Sequence, residues 1–171
     1  KSFEEIRPCH MIIDDNFEVA YNPIYNNHQD TDGDKASNYS CMSGGGELAQ
    51  QFYGKIHGCK VVRWETDKGE QVGRCIMYEH NGQRHFVRIY GLYEYHRTMI
   101  NLLTNEMKEN DLFGRGYSIK DLELETDWTD ETKSMYLDGP YGVRRVSGED
   151  EQGVWYTKYK VVERGWDFDT S

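Results

Sequence analysis

The sequence predicts an α+β fold with a mixed, mainly antiparallel central sheet flanked by helices. Three observations lead to this prediction: a three-stranded meander at residues 59–90, an amphipathic helix at residues 92–109, and a hairpin made by residues 143–146 and 154–162. The chain has 171 residues, a length typical of one domain. We therefore expect residues 1–171 to form a single domain.

The meander prediction depends on two turn signals. Lys68-Gly69 and Asn81-Gly82 divide residues 59–90 into three runs rich in β-branched and aromatic residues. Asn-Gly between two such runs is a strong short-range signal for a hairpin. The middle run carries apolar residues on both of its faces, which is typical of a central strand that is covered on both sides.

Three arginines, Arg63, Arg74 and Arg88, interrupt these strands. An arginine inside a covered sheet needs a carboxylate or an anionic ligand, because an unpaired buried charge is costly. Two interpretations stay open. The arginines pair with internal Asp or Glu residues, or they contact an anion or a partner.

The helices are predicted from apolar residues that recur every three or four positions. Residues 47–57 and 92–109 show this spacing. Shorter patterns predict a strand at residues 11–13 and another at residues 117–124. The apolar positions are Leu48, Phe52 and Ile56 in the first helix and Leu92, Tyr95, Met99, Leu102, Leu103 and Met107 in the second.

Residues 22–46 are predicted to form a long polar loop. Asp30, Asp32 and Asp34 alternate within it, and carboxylates in this pattern can converge on a hard cation such as calcium. The EF-hand pattern fails, however, because Lys35 stands where that pattern needs a glycine. We therefore predict no metal site and interpret the segment as a solvated acidic loop.

Cys41 precedes the helix predicted at residues 47–57. The positive end of a helix lowers the pKa of a nearby thiol, so Cys41 is a candidate nucleophile. His28 and His57 are candidate bases, but nothing in their spacing brings them near Cys41. A packed structural thiol is the alternative interpretation.

The formal net charge is −10, and the acidic residues concentrate in residues 1–58 and 117–171. Such a chain is a poor candidate for binding a nucleic-acid backbone. No apolar run approaches the length of about 18 residues that a membrane span needs, so we predict a soluble protein that binds neither nucleic acid directly nor a membrane. The acidity either solubilises the surface or engages a protein partner that has a basic surface.

From residue 47 onward the predicted order is helix, three antiparallel strands, helix, strand, short helix and two strands. This order resembles the GNAT superfamily of acyltransferases. The resemblance implies acetyl-coenzyme A as cofactor, held partly by the turn at residues 91–97. It also implies a ligand groove between the meander and the helix at residues 92–109, with Tyr136 or Tyr141 as general acid. No other cofactor is predicted.

Four short segments between residues 40 and 157 resemble a recurring set of uncharacterised bacteriophage proteins. In those proteins the segments appear, in the same order, as Ser-Cys-Met, Gly-Arg-Ala, Asp-Arg-Ile-Tyr and Pro-Tyr-Leu-Asp-Thr. The resemblance implies a viral origin more than a chemistry. The matching segments here are Ser40-Cys41-Met42, Val72-Gly73-Arg74, Arg88-Ile89-Tyr90 and Met135-Tyr136-Leu137-Asp138.

These observations favour a phage accessory protein that acts in the host cytoplasm by stoichiometric, inhibitor-like binding to a host or defence protein. One alternative is a GNAT-like acyltransferase, active or degenerate, and another is a structural virion component. No catalytic residue is assigned. The candidate functional residues come from the phage-like segments, and they are Cys41, Arg74, Arg88, Tyr90 and Asp138.

Overall fold

The computed structural model describes residues 7–21, 46–129 and 137–164. Strands dominate this part of the chain, with three helices and one 3-10 turn at Tyr93–Tyr95. The helices are α1 Phe17–Tyr21, α2 Gly46–Tyr53 and α3 His96–Glu106. The strands are β1 His10–Asp14, β2 Cys59–Glu65, β3 Gln71–His80, β4 Gln83–Phe86, β5 Tyr90–Gly91, β6 Leu112–Phe113, β7 Glu123–Glu125, β8 Tyr141–Glu149 and β9 Trp155–Glu163.

The strands form two sheets. The larger has the order β1-β2-β3-β4-β6, with β5 also paired to β3, and the smaller has the order β7-β9-β8. Only the pairing of β4 with β6 is parallel among the described strands. The predicted combination of a mostly antiparallel sheet with helices is thus confirmed at this level. Within the described ranges, no helix is long and apolar enough to cross a bilayer.

The meander forms from the three predicted runs as β2, β3 and β4. Asn81 and Gly82 join the last two strands with φ angles of 50° and 81°, the pair of positive values that a type I′ hairpin turn needs. The third run departs from the prediction, because its strand stops at Phe86 and pairing resumes only at Tyr90.

A β-bulge explains this interruption. Phe86 lies opposite Met77, and Tyr90 lies opposite Arg74. Three residues, 87–89, therefore face only two residues of β3, and an extra residue of this kind bends a strand and re-aims the side chains that follow it. The bulge is what sets Tyr90 beside Arg74.

Strand β3 is central, as its apolar pattern predicts. Every residue from Gln71 to Tyr78 is buried. Ile76 and Tyr78 contribute to a core that includes residues of α1, α2 and the smaller sheet, whereas Cys75 and Met77 contribute to a core shared with α3. The larger sheet is therefore covered on both sides.

Both predicted helices are shorter than the apolar spacing indicates. α2 ends at Tyr53 because the chain then turns to the smaller sheet, where Ile56 forms a bridge with Thr126. α3 begins after the 3-10 turn and ends before Met107, which has extended backbone.

The face of α3 that meets the sheet is filled by side chains. Met99 and Leu103 are fully buried there and pack with Trp64 and Phe86. The groove that we predicted between the meander and this helix is therefore occupied by core residues at these positions.

The strand predicted at residues 117–124 is wrong in extent, since only Glu123–Glu125 pairs as a strand. Asp121 has a φ of 60°, and the Ile119 N–H donates to the hydroxyl of Tyr141 instead of to a strand. The predicted polar loop lies, apart from Gly46, outside the described residues, as do Asp30, Asp32, Asp34, Cys41, His28 and Tyr136.

Gly91 is required where β5 crosses beneath α3. A Cβ atom there would lie 2.5 Å from the carbonyl oxygen of Val72 and 2.8 Å from Cε of Met99. We expect Gly91→Ala to lower the free energy of unfolding by about 1–3 kcal/mol, the usual cost of overpacking a core. Urea denaturation measures this, with Gly116→Ala as control, because a Cβ at Gly116 meets nothing within 4 Å. Equal effects of the two changes would contradict the packing argument.

Candidate functional site

Four of the five predicted functional residues come together in the structure. Arg74 of β3 is the register partner of Tyr90 of β5. Arg88 lies in the bulge between β4 and β5, and Asp138 precedes β8. Cys41, the fifth, lies outside the described residues, so its role as a nucleophile stays a prediction.

Arg74 is almost fully enclosed, with 1% of its surface exposed. Its Cζ atom lies 4.5 Å from the ring centre of Tyr21 and 5.1 Å from that of Tyr90, so two aromatic rings stabilise its charge through cation–π contacts. Among the described residues, neither of its terminal nitrogens has a partner that meets hydrogen-bond geometry, although hydrogen bonding to Arg74 acts to lower the pKa of Tyr21 against the larger effect of burial. This arginine is therefore buried by rings rather than by a direct ion pair.

Asp138 is held by its backbone. Its N–H donates to the hydroxyl oxygen of Tyr53 at 2.9 Å, and its carbonyl accepts from the hydroxyl of Tyr78 at 3.1 Å. The side chain accepts a hydrogen bond from Tyr90. The carboxylate is thereby fixed beneath the bulge, on the side of the sheet that α1 and α2 cover.

Burial raises the pKa of Asp138, although Arg74, Arg88 and Arg115 act in the opposite direction. Arg88 also lies over the ring of Tyr90, with its Cζ atom 4.8 Å from the ring centre. We call Arg74, Arg88, Arg115, Tyr90 and Asp138 the arginine cluster. Three guanidinium groups of this cluster act on the one carboxylate of Asp138.

The tyrosines beside the cluster stay neutral. Burial raises the pKa values of Tyr21, Tyr53 and Tyr78 well above the ordinary range. Their hydroxyl groups therefore act as hydrogen-bond donors and acceptors and not as bases. Tyr78 lies four positions after Arg74 on the same strand, a spacing that indicates a shared face, whereas Tyr21 and Tyr53 carry no such local signal.

Two other arginines of the larger sheet, Arg63 and Arg84, have carboxylate partners, and Arg63 thereby follows the first of the two interpretations. Arg63 donates to Asp14 at 2.7 Å and to Glu65 at 2.6 Å. Arg84 donates to Asp111 at 2.6 Å. Internal carboxylates therefore neutralise both, which distinguishes them from Arg74.

No protein-family model matches this chain, and no curated protein matches its sequence. The site must accordingly be interpreted from its own geometry. Among the described residues, no group of three or more His, Cys, Asp or Glu side chains could hold a metal ion.

A second candidate site is the hairpin of β8 and β9. The two strands pair from Tyr141–Glu163 to Glu149–Trp155, whereas β7 pairs only with the part of β9 from Lys160 to Val162. From Tyr159 back to the turn, β9 pairs only with β8 within the described structure. We call residues 144–159 the hairpin arm.

The tip of the hairpin arm is a hydrogen-bonded turn that carries two exposed apolar residues. Asp150 accepts hydrogen bonds through Oδ1 from the N–H groups of Gln152 at 2.9 Å and Val154 at 2.8 Å. Gly153 closes the turn with a φ of 78°. Val154 and Trp155 are nevertheless exposed, at 59% and 64%. Two adjacent apolar residues left exposed on an ordered turn make this tip a candidate interaction surface.

A buried network connects the two sheets through His85 and Tyr141. The carbonyl of Gly114 can only accept, so Nε2 of His85 carries the proton and donates to it at 2.8 Å. Nδ1 then accepts from the hydroxyl of Tyr141 at 2.7 Å, and that hydroxyl oxygen accepts from the N–H of Ile119 at 2.7 Å. Because this hydroxyl is buried and fully engaged, it is not placed to act as the general acid that the GNAT resemblance implies.

Burial lowers the pKa of His85 below its ordinary value of 6.5, so the folded state favours the neutral ring. The unfolded state then binds more protons just below that pH. We expect the contribution of His85 to stability to be complete above pH 6.5 and to decline as the pH falls towards the lower folded pKa. An NMR titration of the imidazole signals checks this directly, and a midpoint at or above 6.5 would contradict it.

Proposed function

We propose that the protein acts by stoichiometric binding to another protein, with the hairpin arm as the main contact. The observation that carries this proposal is the exposure of Val154 and Trp155 on a turn that hydrogen bonds already hold rigid. Tryptophan is among the residues that contribute most to binding energy at interfaces. A preformed turn also reduces the entropy that binding would cost.

The charge around the tip indicates the kind of partner. Glu149, Asp150 and Glu151 are exposed beside the two apolar residues, and the chain as a whole carries a net charge of −10. A complementary surface has an apolar pocket bordered by Lys or Arg, since opposite potentials speed association and exclude wrong partners. This agrees with the basic protein partner that the sequence predicts.

A cleft beside the hairpin arm extends this surface. It has a volume of about 510 Å³ and is lined by residues 156–158 of the arm and residues 125–129, with His57 at one edge. A protruding side chain of the partner would fit here while the arm tip contacts the partner's pocket. The phage resemblance implies a viral origin, and we propose on that basis that the partner is a host or defence protein in the host cytoplasm and that binding inhibits it.

Capture from host lysate followed by calorimetry tests the proposal. Tagged protein retains a partner, mass spectrometry identifies it, and titration of the purified pair gives one-to-one stoichiometry. We expect Trp155→Ala to weaken binding by about 30-fold or more, the loss typical of a central aromatic contact. Glu149→Gln with Glu151→Gln should reduce the salt dependence of the affinity.

Tyr117→Ala is the matched control, because Tyr117 is a similarly exposed aromatic residue, at 56%, outside the hairpin arm. It should bind as the wild type does. The proposal fails if the wild-type chain retains no protein, or if Trp155→Ala and Tyr117→Ala bind equally well. Co-purification with virus particles instead would favour the structural virion component.

The second candidate is a GNAT-like acyltransferase, active or degenerate. The order of elements favours it: α2, three antiparallel strands, α3, short strands and the two strands of the arm. The short helix of the predicted order falls at residues outside the described ranges. This similarity concerns the order of elements and carries little weight for activity.

The turn before α3 does not fit the pyrophosphate of acetyl-coenzyme A. Such a site needs open backbone N–H groups, but the N–H of Leu92 donates to Val72 at 2.9 Å and that of Tyr95 donates to Leu92 at 3.0 Å. Glu94 also adds a negative charge to the first turn. We derive no step through the coenzyme. Calorimetry with acetyl-coenzyme A is expected to give no heat, and saturable heat would favour the acyltransferase.

A further inference from the structure

We propose that β9 accepts an extended segment of the protein partner as an added β-strand, on the edge that faces the cleft. The inference rests on the proposed function and deepens it, because it specifies how the partner is bound. The partner side chain in the cleft then belongs to a segment whose backbone pairs with β9. Three features carry the inference: the direction of the backbone groups of β9, the cleft beside them and the charge of the nearby turn.

The direction of the backbone groups follows from the ladder of β8 and β9. The two strands pair without a register shift, and beyond the end of the ladder the N–H of Asp150 donates to the carbonyl of Val154 at 2.9 Å. The backbone groups of an antiparallel strand point to its two sides in alternation. Even-numbered residues of β9 therefore point to β8, and odd-numbered residues point to the other edge. The N–H of Glu163 agrees with this, since it donates to Leu122 on that other edge at 3.0 Å.

This other edge of β9 is occupied at one end. There β7 pairs with residues 160–162, and Thr126, the residue after β7, donates its hydroxyl to the carbonyl of Tyr159. The chain then leaves β9, and the N–H of Asp127 donates to the carbonyl of Lys55 at 2.9 Å. Strand β9 therefore continues past the end of its neighbour.

Trp155 and Thr157 lie in the part of β9 that continues. Their N–H and C=O groups point to this edge, where no backbone group of the described ranges pairs with them. An open strand edge is a template on which another strand can pair. A segment laid along it forms up to about four backbone hydrogen bonds, which is the kind of contact that β-strand addition uses.

The cleft provides the room for such a segment. It has a volume of about 510 Å³ and lies between residues 125–129 and residues 156–158 of β9. Successive side chains of a strand point to opposite faces of the sheet. A side chain on the core face would meet Trp128, which lines the cleft and packs edge-on against Phe52. We therefore expect apolar residues at alternate positions of the segment.

The outer edge of β8 is a poorer template. Arg164 donates from Nη2 to the carbonyl of Val143 at 2.8 Å, and its side chain lies where a Cβ of Gly142 would be. One acceptor of that edge is therefore already in use. For this reason we assign the added strand to β9.

The charge of the turn selects the end of the segment. Glu149, Asp150 and Glu151 are exposed beside Trp155, so Lys or Arg is favoured where the segment reaches the turn. An antiparallel segment, like β7, runs towards the turn and therefore brings its C-terminal end there. Basic residues are not favoured within the cleft, because Lys158 lines it. The carboxylates of the cleft already have partners, Glu125 in Lys160 and Asp127 in His57.

Calorimetry of the full chain with a synthetic peptide tests the inference. The probe is acetylated and amidated, and in it valine alternates with threonine before two lysines at the C-terminal end. We expect saturable binding to the wild type. Because this experiment needs no natural partner, its result is separate from the result of capture from lysate.

Two N-methylated versions of the peptide are matched controls for backbone pairing. One carries the methyl groups on its valines and the other on its threonines, so each version blocks one edge of the peptide and leaves the side chains unchanged. Residues that exchange hydrogen bonds in an antiparallel pair share a face of the sheet. If the valines enter the cleft, their N–H groups also point to β9. We expect the valine version to bind at least about tenfold more weakly, and the threonine version to bind as the parent does.

Thr157→Pro removes one N–H from this edge of β9 and leaves the ladder with β8 intact. Ser147→Pro is the matched control, because Ser147 lies directly opposite on β8 and its N–H points to the other edge of the hairpin. Both changes remove the contact between the two hydroxyl groups, which are 3.3 Å apart. Thr157→Pro should weaken peptide binding by about tenfold or more, whereas Ser147→Pro should leave it unchanged. Circular dichroism checks that both variants are folded.

Amide hydrogen exchange gives a second measurement. The N–H of Thr157 should exchange rapidly in the free chain and at least about tenfold more slowly with the peptide bound. Slow exchange in the free chain would overturn the inference, because the edge would then be covered by this chain or by a second copy of it.

The inference is also overturned if the peptide gives no saturable heat, if its two N-methylated versions bind alike, or if both proline variants bind it equally well. A lysate partner that requires Trp155 but binds Thr157→Pro as tightly as Ser147→Pro would uphold the proposed function and overturn the added strand. Peptide binding with the expected pattern, but with no protein retained from lysate, would uphold the open edge and overturn the proposed function.

Discussion

Arg84→Met is expected to lower the free energy of unfolding by about 3–5 kcal/mol, the cost of breaking a buried ion pair from one side. Arg84 donates from Nε and Nη2 to Asp111, and the shortest of these bonds, from Nη2, is 2.6 Å. The side chain of Asp111 is only 2% exposed. Without the side chain of Arg84, this carboxylate keeps only backbone donors, the N–H of Lys108 at 2.8 Å and the N–H of residue 84.

Arg144→Met provides the control for this prediction. Arg144 donates to Glu123 at the same distance of 2.6 Å, but the two side chains are 51% and 45% exposed. Exposed pairs contribute little, so we expect a loss of about 0.5 kcal/mol or less. Urea denaturation of both variants makes the comparison, and losses of equal size would show that burial does not decide the strength of these pairs.

The Arg84–Asp111 pair also makes the free energy of unfolding depend on pH in the acid range. Burial acts to raise the pKa of Asp111, but hydrogen bonds from Arg84 and from the N–H of Lys108 outweigh it and hold the pKa below its ordinary value of 3.8. The stabilisation is therefore present above pH 3.8 and is lost as the pH falls through the lower folded value. The difference between wild type and Arg84→Met should shrink in acid, because protonation removes the charge that the variant leaves unpaired.

Tyr141→Phe is expected to cost about 2–4 kcal/mol, because it removes one hydroxyl that serves two buried groups. The N–H of Ile119 loses its acceptor and Nδ1 of His85 loses its donor, both at 2.7 Å in the native structure. The phenyl ring keeps its packing against Tyr78, whose ring centre lies 4.7 Å away. The decrease in the free energy of unfolding therefore measures the lost hydrogen bonds and not the cost of a cavity.

Tyr117→Phe makes the same chemical change at a residue that is 56% exposed, and water replaces any hydrogen bond lost there. Its free energy of unfolding should stay within about 0.5 kcal/mol of the wild type, as for most surface substitutions. Chemical denaturation at neutral pH compares the two variants. A loss at Tyr141 no larger than the loss at Tyr117 would contradict the network.

The local patterns of the sequence predicted much of the fold. Alternating apolar residues and the Asn81-Gly82 turn were sufficient for the meander, because a hairpin depends on residues close together in the chain. The strand predicted at residues 117–124 was wrong in extent because its backbone pairing depends on a residue far away in the chain. Its backbone donor at Ile119 is satisfied by Tyr141, a distant residue that local pattern does not reveal.

The candidate site could be predicted only in part. Arg74, Arg88, Tyr90 and Asp138 were chosen from short segments that resemble phage proteins, and the structure brings them together. Arg115 and Tyr21 were missed, because nothing in their sequence neighbourhood distinguishes them. The hairpin was predicted, but the exposure of Trp155 was not, since an aromatic residue in a strand is more often buried.

The sequence by itself determined where the chain forms strands, helices and tight turns, since backbone preference and the side-chain period act over a few residues. Only the tertiary structure decided which arginines meet carboxylates and which meet aromatic rings. Arg63 and Arg84 meet carboxylates, whereas Arg74 meets tyrosine rings. That outcome depends on a one-residue bulge and on contacts between distant segments, because electrostatic pairing is set by distance in space and by burial.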